Sequence, residues 1–152
     1  DELNSALGLV RTTGSNYDDL LGRVQNDLFD IGADLCVPQT DAESKGEKLR
    51  LQPTQVQYLE CQIDRINESL LPLKSFVLPS GTPQAAWLHL ARTVCRRAER
   101  QVWRLAESAR VDQPVLQYLN RLSDLLFVMA RAANKGGETD VLWQPGQGAV
   151  DG

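Results

Sequence analysis

Arg92, Arg96 and Glu99 have the side-chain types and the spacing to bind a polyphosphate. On a helix that turns about 100° per residue, the three share an arc of roughly 60°. An apolar stripe runs beside this arc, so the charges border the core and are partly desolvated. Guanidinium groups stay ionised and present forked donors that match phosphate oxygens. The pattern indicates a local anion site, although a solvated face with Arg96–Glu99 ion pairs would have the same spacing.

A second polar strip lies on residues 118–131, a segment that is apolar around most of its circumference and is predicted to form the central helix. Asn120, Asp124 and Arg131 fall on this strip. Buried polar groups need partners, so we expect the strip to face the arginines between residues 92 and 100. A purely structural buried network is an equal alternative. Asn120 could also hold an amide or hydroxyl group of a ligand.

The sequence lacks the patterns of several common catalytic sites. His89 is the single histidine and no Glu-x-x-His occurs, which argues against a di-iron bundle. We expect His89 to be an ordinary helix residue whose hydrogen bonds are satisfied. No G-x-x-x-x-G-K-[ST] phosphate loop, no Gly-x-Ser-x-Gly and no Cys/His dyad is present. We therefore predict neither a protein metal site nor a nucleophilic side chain.

The composition is that of one ordinary globular domain, with 152 residues of which 42% are hydrophobic and 24% charged. A net charge of −4 argues against nucleic-acid binding, so any phosphate site must be a local cluster. No apolar run approaches the roughly 20 residues of a membrane span, and no signal peptide is visible. Cys36, Cys61 and Cys95 lack metal-site spacing, so we expect reduced, mostly buried thiols in a cytoplasmic protein.

The elements that must position these residues are helices. Helical periodicity dominates the chain and strand alternation is nearly absent, which predicts an all-α five-helix bundle. Thr54 and Gln57 have the spacing of a capping box, and the stretch Gln39–Gln52 is predicted to be a surface loop. The bundle domain is expected to span residues 1–138, with an extended or frayed tail over residues 139–152. We expect helices at about residues 1–11, 17–37, 54–71, 83–108 and 114–134.

Several stretches, taken together, resemble the PduO-type ATP:cob(I)alamin adenosyltransferases. Two blocks are specific in combination, Arg-Thr-Val-Cys-Arg-Arg-Ala-Glu-Arg and Leu-Asn-Arg-Leu-Ser-Asp. The matching stretches follow the family's order along the chain and cover residues 1–5, 25–35, 76–81, 88–100 and 118–131.

This resemblance implies a homotrimer with its active sites between subunits. It implies that ATP donates its 5′-deoxyadenosyl group to the cobalt of cob(I)alamin or a related reduced corrinoid, with release of triphosphate and with Mg²⁺ present. It also suggests a cobalamin reductase and an adenosylcobalamin-dependent mutase as partners. Cob(I)alamin is itself a strong nucleophile, so the protein needs only to orient the reactants, stabilise the leaving group and exclude water.

The resemblance also assigns roles to individual residues. Arg92 and Arg96 look like the catalytic arginines that hold triphosphate, and Glu99 and Asn120 look like further ATP-binding positions. Asp1 looks like an acid of the catalytic site that pairs with Arg92 of the neighbouring subunit.

Phe76 looks like the corrinoid-binding aromatic, which presses on the lower corrin face and keeps the axial base off cobalt. Apart from the resemblance, a phenylalanine in a turn is more often a core anchor. Arg121 and Asp124 look structural and near the site. Ser80 stands where the family's Leu-Pro-Gly-Gly has glycine.

Members of this family carry an N-terminal phosphate-binding segment, rich in Gly and Thr, before the block that begins at Asp1. The segment is absent from this sequence, so we expect the complete gene product to include it. Two other functions stay open, a non-catalytic corrinoid carrier or chaperone on the same fold, and a helical scaffold for partners. Turnover separates the enzyme from the carrier, because a carrier would bind cobalamin without consuming ATP.

Overall fold

A computed structural model of the chain describes residues 1–14, 16–37 and 48–147. Within these ranges the fold is all-α with five α-helices, as predicted, and a single 3₁₀ turn follows the last helix at Lys135–Gly137. Most of the predicted loop Gln39–Gln52 lies outside the described residues. The helices are α1 (Glu2–Arg11), α2 (Asp18–Cys36), α3 (Pro53–Asn67), α4 (Pro83–Ala106) and α5 (Gln113–Ala133).

The start of α3 differs from the prediction. Pro53 is the first helical residue, where its missing N–H is no loss. The capping box is therefore formed by Gln52 and Gln55, and the Gln52 N–H donates to Gln55 Oε1 at 2.9 Å. The prediction of a Thr54–Gln57 box is wrong by two residues.

Helix α5 lies at the centre of the bundle and packs against α3 and α4, while α1 packs against α4. Fully buried Tyr118 donates its hydroxyl to Asp27 Oδ2 at 2.8 Å, and Gln55 Nε2 donates to the other oxygen of that carboxylate at 2.7 Å. Burial, the nearby Asp27 charge and this hydrogen bond raise the pKa of the phenol well above its usual range. These bonds join α2, α3 and α5 around the core residues Leu21, Val24, Leu59, Leu88, Leu122, Leu125, Leu126 and Met129.

A buried ion pair anchors the chain before α3 to the end of α2. Arg50 Nη1 lies 2.7 Å from Asp34 Oδ1, and the Leu51 N–H donates to Asp34 Oδ2 at 2.9 Å. The side chains of Asp34 and Arg50 are only 4% and 11% exposed. Neither Asp34 nor Arg50 is among the candidate site residues of the sequence analysis.

The segment after α5 pairs with the segment before α4. The Leu78 N–H donates to the Val141 carbonyl and the Trp143 N–H donates to the Phe76 carbonyl, both at 2.8 Å. Ser75 Oγ also donates to the Trp143 carbonyl at 2.9 Å. We call residues 75–78 and 141–143 the aromatic clip. The domain boundary at residue 138 stays a prediction, but the chain beyond it is hydrogen-bonded to the bundle as far as Trp143.

Two further features bear on the sequence-based expectations. Cys95 is buried, but Cys36 and Cys61 are exposed, so the expectation of mostly buried thiols is wrong for these two. None of the helices that the structure describes contains an apolar stretch sufficient to span a lipid bilayer.

Candidate active site

The polar residues of α4 and α5 form one hydrogen-bonded network. Arg96 Nη1 lies 2.5 Å from Glu99 Oε2, and Asn120 Nδ2 donates to Glu99 Oε1 at 3.0 Å. Arg121 Nη2 in turn donates to Asn120 Oδ1 at 2.6 Å. The predicted strip on α5 therefore faces the arginine helix at Asn120.

Burial within this network is uneven. Glu99 is 5% exposed and both of its carboxylate oxygens accept a hydrogen bond, which a buried carboxylate requires. The Arg96 side chain is 42% exposed. The Arg96 guanidinium is therefore exposed to solvent, while the buried Glu99 carboxylate fixes its position. This arrangement is suited to binding an anion in a fixed geometry.

The other two residues of the predicted strip, Asp124 and Arg131, make different contacts. Asp124 pairs with Arg121 at 3.2 Å, next to the network. Arg131 lies roughly 16 Å from Asn120 along α5. Its Nε donates to Asp140 Oδ2 at 2.8 Å. The expectation that Arg131 faces the arginines of α4 is wrong, because the chain turns back at the end of α5 and supplies a nearer partner.

Arg92 and His89 lie next to Phe127 of α5. The Arg92 Cζ atom is 5.4 Å from the centroid of the Phe127 ring, and the His89 ring meets that ring edge-on at 6.3 Å. Within the described residues, the buried atoms His89 Nε2 and Arg92 Nε have no hydrogen-bond partner. The expectation that His89 is fully satisfied is therefore wrong. Burial and then the Arg92 charge lower the pKa of His89, which keeps the imidazole neutral near pH 7.

A cavity of 590 Å³ opens between α3, α4 and α5, beside the network. Its size is in the usual range for small-molecule sites. The polar residues Glu99, Asn120 and Arg121 line it. So do Trp103, Gln113 and Gln117, which the sequence analysis did not single out, and Gln57, which it named only as a capping residue. The spacing of Gln113, Gln117 and Asn120, at i, i+4 and i+7, would have indicated a polar face on α5.

Phe76 lies on the aromatic clip with 77% of its surface exposed. Its ring meets the Trp143 ring edge-on, with the centroids 5.9 Å apart and the planes at 64°. Phe76 is therefore not a core anchor. An aromatic side chain held out from the fold in this way is suited to contact a large apolar ligand.

Asp1 precedes α1 and is exposed. Its carbonyl oxygen accepts the Ser5 N–H at 2.9 Å, and the neighbouring Glu2 forms an ion pair with Arg97 of α4. Among the described residues, Asp1 makes no ion pair with Arg92 of its own chain. The structure thus brings Arg96, Glu99 and Asn120 into contact, and it places Arg92, Phe76 and Asp1 in separate surroundings.

Cys95 lies on the inner side of α4, next to the network. Its Sγ donates to the Leu119 carbonyl at 3.2 Å and the residue is fully buried. Burial, with a smaller effect of the Glu99 charge, raises the pKa of this thiol to about 12. Cys95 is therefore a protonated core residue at neutral pH and not a nucleophile.

Fold and site together define a helical-bundle protein that combines an arginine–glutamate–asparagine network, a neighbouring cavity and an exposed aromatic clip. A family model described as cobalamin adenosyltransferase matches residues 1–133. The chain belongs to this family. The resemblance found in the sequence is confirmed, and so is the enzyme activity that it implied, ATP-dependent transfer of an adenosyl group to a corrinoid.

Individual relatives agree with this assignment. The corrinoid adenosyltransferase of Mycobacterium leprae is 48% identical over 153 residues, which cover 96% of this chain and 79% of that protein. The corrinoid adenosyltransferase of Bacillus subtilis is 41% identical, with 95% and 76% covered. Among solved structures, a variant PduO-type ATP:corrinoid adenosyltransferase from Lactobacillus reuteri, complexed with cobalamin and ATP, matches with a TM-score of 0.83 and 38% identity, over 95% of this chain and 81% of that one.

Proposed function

We propose that Arg92 and Arg96 bind the triphosphate of ATP and stabilise it as the leaving group. The observation that supports this most directly is the half-exposed Arg96 guanidinium, which is fixed by buried Glu99. Preorganised donors of this kind stabilise developing charge without reorganising during the reaction. Arg92 lies one helical turn away and would add a second cation on the same face.

Glu99 and Asn120 are the proposed contacts to the rest of the nucleotide. Both line the 590 Å³ cavity next to Arg96. The Asn120 amide and the Glu99 carboxylate already bond each other, so a base or ribose in the cavity would meet groups of fixed orientation. The L. reuteri structure is complexed with ATP, which supports a nucleotide as the occupant.

The proposed reaction is a displacement at the 5′ carbon of ATP. The electron pair of the reduced cobalt attacks C5′ and forms the cobalt–carbon bond. The bond from C5′ to the phosphate oxygen breaks, and its electron pair leaves with triphosphate. Cobalt is the nucleophile, which is consistent with the inert Cys95 and the neutral His89. The protein's tasks are orientation, charge stabilisation and exclusion of water.

Mg²⁺ would be bound mainly by the triphosphate. In the part of the chain that the structure describes, no group of three or more His, Cys, Asp or Glu side chains could hold a metal ion. Mg²⁺ commonly keeps several waters and binds through substrate phosphates rather than through a cage of protein ligands. The ion would neutralise part of the triphosphate charge that the arginines do not reach.

Phe76 is the proposed contact to the lower face of the corrin ring, where it would keep the axial base off cobalt. Its 77% exposure leaves the ring free to meet a ligand. We further propose a homotrimer with intersubunit sites, in which Asp1 of a neighbouring subunit pairs with Arg92. Arg92 is only partly buried and forms no ion pair among the described residues, which supports this pairing. A cytoplasmic location, a reductase that supplies the reduced corrinoid and a mutase that uses the product complete the proposal.

The experiment is an anaerobic assay on the complete gene product with ATP, Mg²⁺ and chemically reduced cobalamin. We expect the absorbance change of cobalt–carbon bond formation, together with one triphosphate released for each bond formed. A reaction without ATP is the control. Tight cobalamin binding without ATP consumption would instead establish the carrier function.

A further inference from the structure

Three polar side chains at the end of α5 form a buried cluster, Arg131, Asn134 and Asp140, which we call the latch. Asn134 is fully buried, and the side chains of Arg131 and Asp140 are 5% and 2% exposed. Arg131 Nε donates to Asp140 Oδ2 at 2.8 Å, and Asn134 Nδ2 donates to Asp140 Oδ1 at 3.2 Å. Both carboxylate oxygens are therefore satisfied within the latch.

The latch also bonds both ends of the segment that carries Phe76. Arg131 Nη2 donates to the Leu71 carbonyl at 2.7 Å, before Phe76. After Phe76, the Thr82 N–H donates to Asn134 Oδ1 at 3.1 Å and Asn134 Nδ2 donates to the Ser80 carbonyl at 3.3 Å. These backbone groups lie in a non-helical stretch, where no helix supplies their partners.

Two glycines let the backbone approach the latch closely. Gly81 has φ of +102°, and a Cβ there would lie 2.2 Å from Asn134 Oδ1. Gly137 has φ of +95°, and a Cβ there would lie 2.5 Å from Arg131 Nη2. Both positions thus require glycine for conformation and for space. The backbone at Gly81 and Gly137 therefore packs directly against the Asn134 and Arg131 side chains of the latch.

The clip continues directly from the latch. Asp140 is followed by residues 141–143, which pair through backbone hydrogen bonds with residues 76–78. Phe76 buries little of its own surface, so core packing does not fix its position. A buried ion pair is also a weak source of net stability compared with apolar packing of the same volume. Its better-supported use is to specify one arrangement of the chain.

We propose that Arg131, Asn134 and Asp140 are positioning residues that hold the aromatic clip, and through it Phe76, in the place where it meets the corrinoid. This inference rests on the proposed corrinoid contact of Phe76. The latch side chains do not touch substrate in this scheme and act only through the clip.

The test compares Asn134→Ala and Asp140→Asn with Asp34→Asn in the complete gene product. Asp34 is the matched control, because it is another buried carboxylate bonded to an arginine and to a backbone N–H, but on α2. Asn134→Ala leaves no buried charge unpaired, which keeps a folded variant available if Asp140→Asn unfolds. Hydrogen exchange at the Leu78 and Trp143 amides, which donate within the clip, reports the order of the clip without any assay of activity.

We expect these amides to exchange at least about 10-fold faster in both latch variants and at the wild-type rate in Asp34→Asn. We also expect the KM for reduced cobalamin to rise about 10-fold while the KM for ATP stays unchanged. Unchanged exchange would overturn the latch, whether or not the protein is an adenosyltransferase. Faster exchange with unchanged corrinoid kinetics would overturn its link to the corrinoid.

A double-mutant cycle with Phe76→Ala tests whether the latch acts through Phe76. In the Phe76→Ala background we expect Asn134→Ala to change the corrinoid kinetics less than 2-fold, since the ring that it positions is gone. Effects of the two substitutions that multiply would overturn the inference. Failure of the wild type to form the cobalt–carbon bond would instead count against the proposed function, while the exchange rates would still decide the latch.

Discussion

The two halves of the proposed site differ in how their side chains are held. Arg96, Glu99 and Asn120 project from two packed helices and bond one another across the helix interface. We call this region, with Arg92, the charged helix face. Phe76 instead lies on a non-helical segment, exposed, with its one described ring contact to Trp143. Backbone hydrogen bonds between residues 76–78 and residues 141–143 hold the segment that carries Phe76.

The difference matches the ligand that each half is proposed to meet. A triphosphate requires cations in a fixed geometry, and helices with internal hydrogen bonds provide this. A corrin ring is large and mostly apolar, so an exposed aromatic side chain suffices for contact, provided that its backbone does not move. The charged helix face therefore carries its own support, whereas the clip takes its support from the buried latch. Substitutions should separate the two halves by the substrate that they affect.

The largest effect is expected from Arg92→Ala and Arg96→Ala. Each should lower turnover by about 100-fold or more, because one preorganised donor to the leaving group is lost. The free energy of unfolding should fall by about 1–3 kcal/mol for Arg96→Ala, because the buried Glu99 carboxylate loses one of its two hydrogen bonds. The measurements are the rate of cobalt–carbon bond formation and thermal unfolding. Arg104→Ala, an exposed arginine near the end of α4, is the control. Wild-type turnover in both Arg92→Ala and Arg96→Ala would refute the assignment of the charged helix face.

The next effect is expected from Phe76→Ala, which removes the aromatic side chain of the clip. Turnover should fall by about 10-fold to 100-fold through misplacement of the corrin ring, while the KM for ATP stays at the wild-type value. Stability should change little, because the side chain is 77% exposed. Leu49→Ala removes another exposed apolar side chain and serves as the control. A raised KM for ATP in Phe76→Ala would break the distinction between the two halves.

A smaller effect is expected from Asn120→Ala, which removes one donor to Glu99 and one wall of the cavity. The KM for ATP should rise by about 10-fold, in line with the loss of the hydrogen bond from Asn120 to the charged Glu99 carboxylate. Steady-state kinetics with varied ATP measures this. Asn67→Ala, at the end of α3, should behave as the wild type. A change in the KM for cobalamin alone would place Asn120 with the clip instead.

The smallest effect concerns Cys95, which borders the charged helix face without taking part. A thiol with a pKa of about 12 has almost no thiolate at pH 8, so we expect no alkylation by iodoacetamide in the folded protein. The exposed Cys36 and Cys61 should react under the same conditions. Mass spectrometry of the native, alkylated protein reads out each site. Rapid modification of Cys95 would show that the face opens to solvent.

Local sequence patterns predicted the contacts among Arg96, Glu99 and Asn120. Thr82 and Pro83 mark the start of α4, where Thr82 Oγ1 accepts the Ala85 N–H at 3.1 Å. The 3.6-residue period then places Arg96 and Glu99 on one side of the helix. The need of a polar side chain on a largely apolar helix for a partner correctly placed Asn120 against Glu99.

The latch and the end of α3 could not be predicted in the same way, because they depend on contacts between distant residues. Leu71 has the apolar character of a helix residue, yet its N–H donates to the Gly136 carbonyl at 2.9 Å and α3 ends at Asn67. Asn134 has the pattern of a simple helix stop, and its bonds to Ser80 and Asp140 follow from the fold alone. The surroundings of His89 depend in the same way on Phe127 of another helix.

The most direct test of the central claim is the affinity of the protein for inorganic triphosphate, measured by calorimetry with Mg²⁺ present and no corrinoid. We expect Arg96→Ala to bind triphosphate at least about 10-fold more weakly than the wild type, because a charge-assisted hydrogen bond is lost. Arg104→Ala and Phe76→Ala should bind as tightly as the wild type. Equal affinity in Arg96→Ala and the wild type would contradict the claim that the charged helix face holds the leaving group.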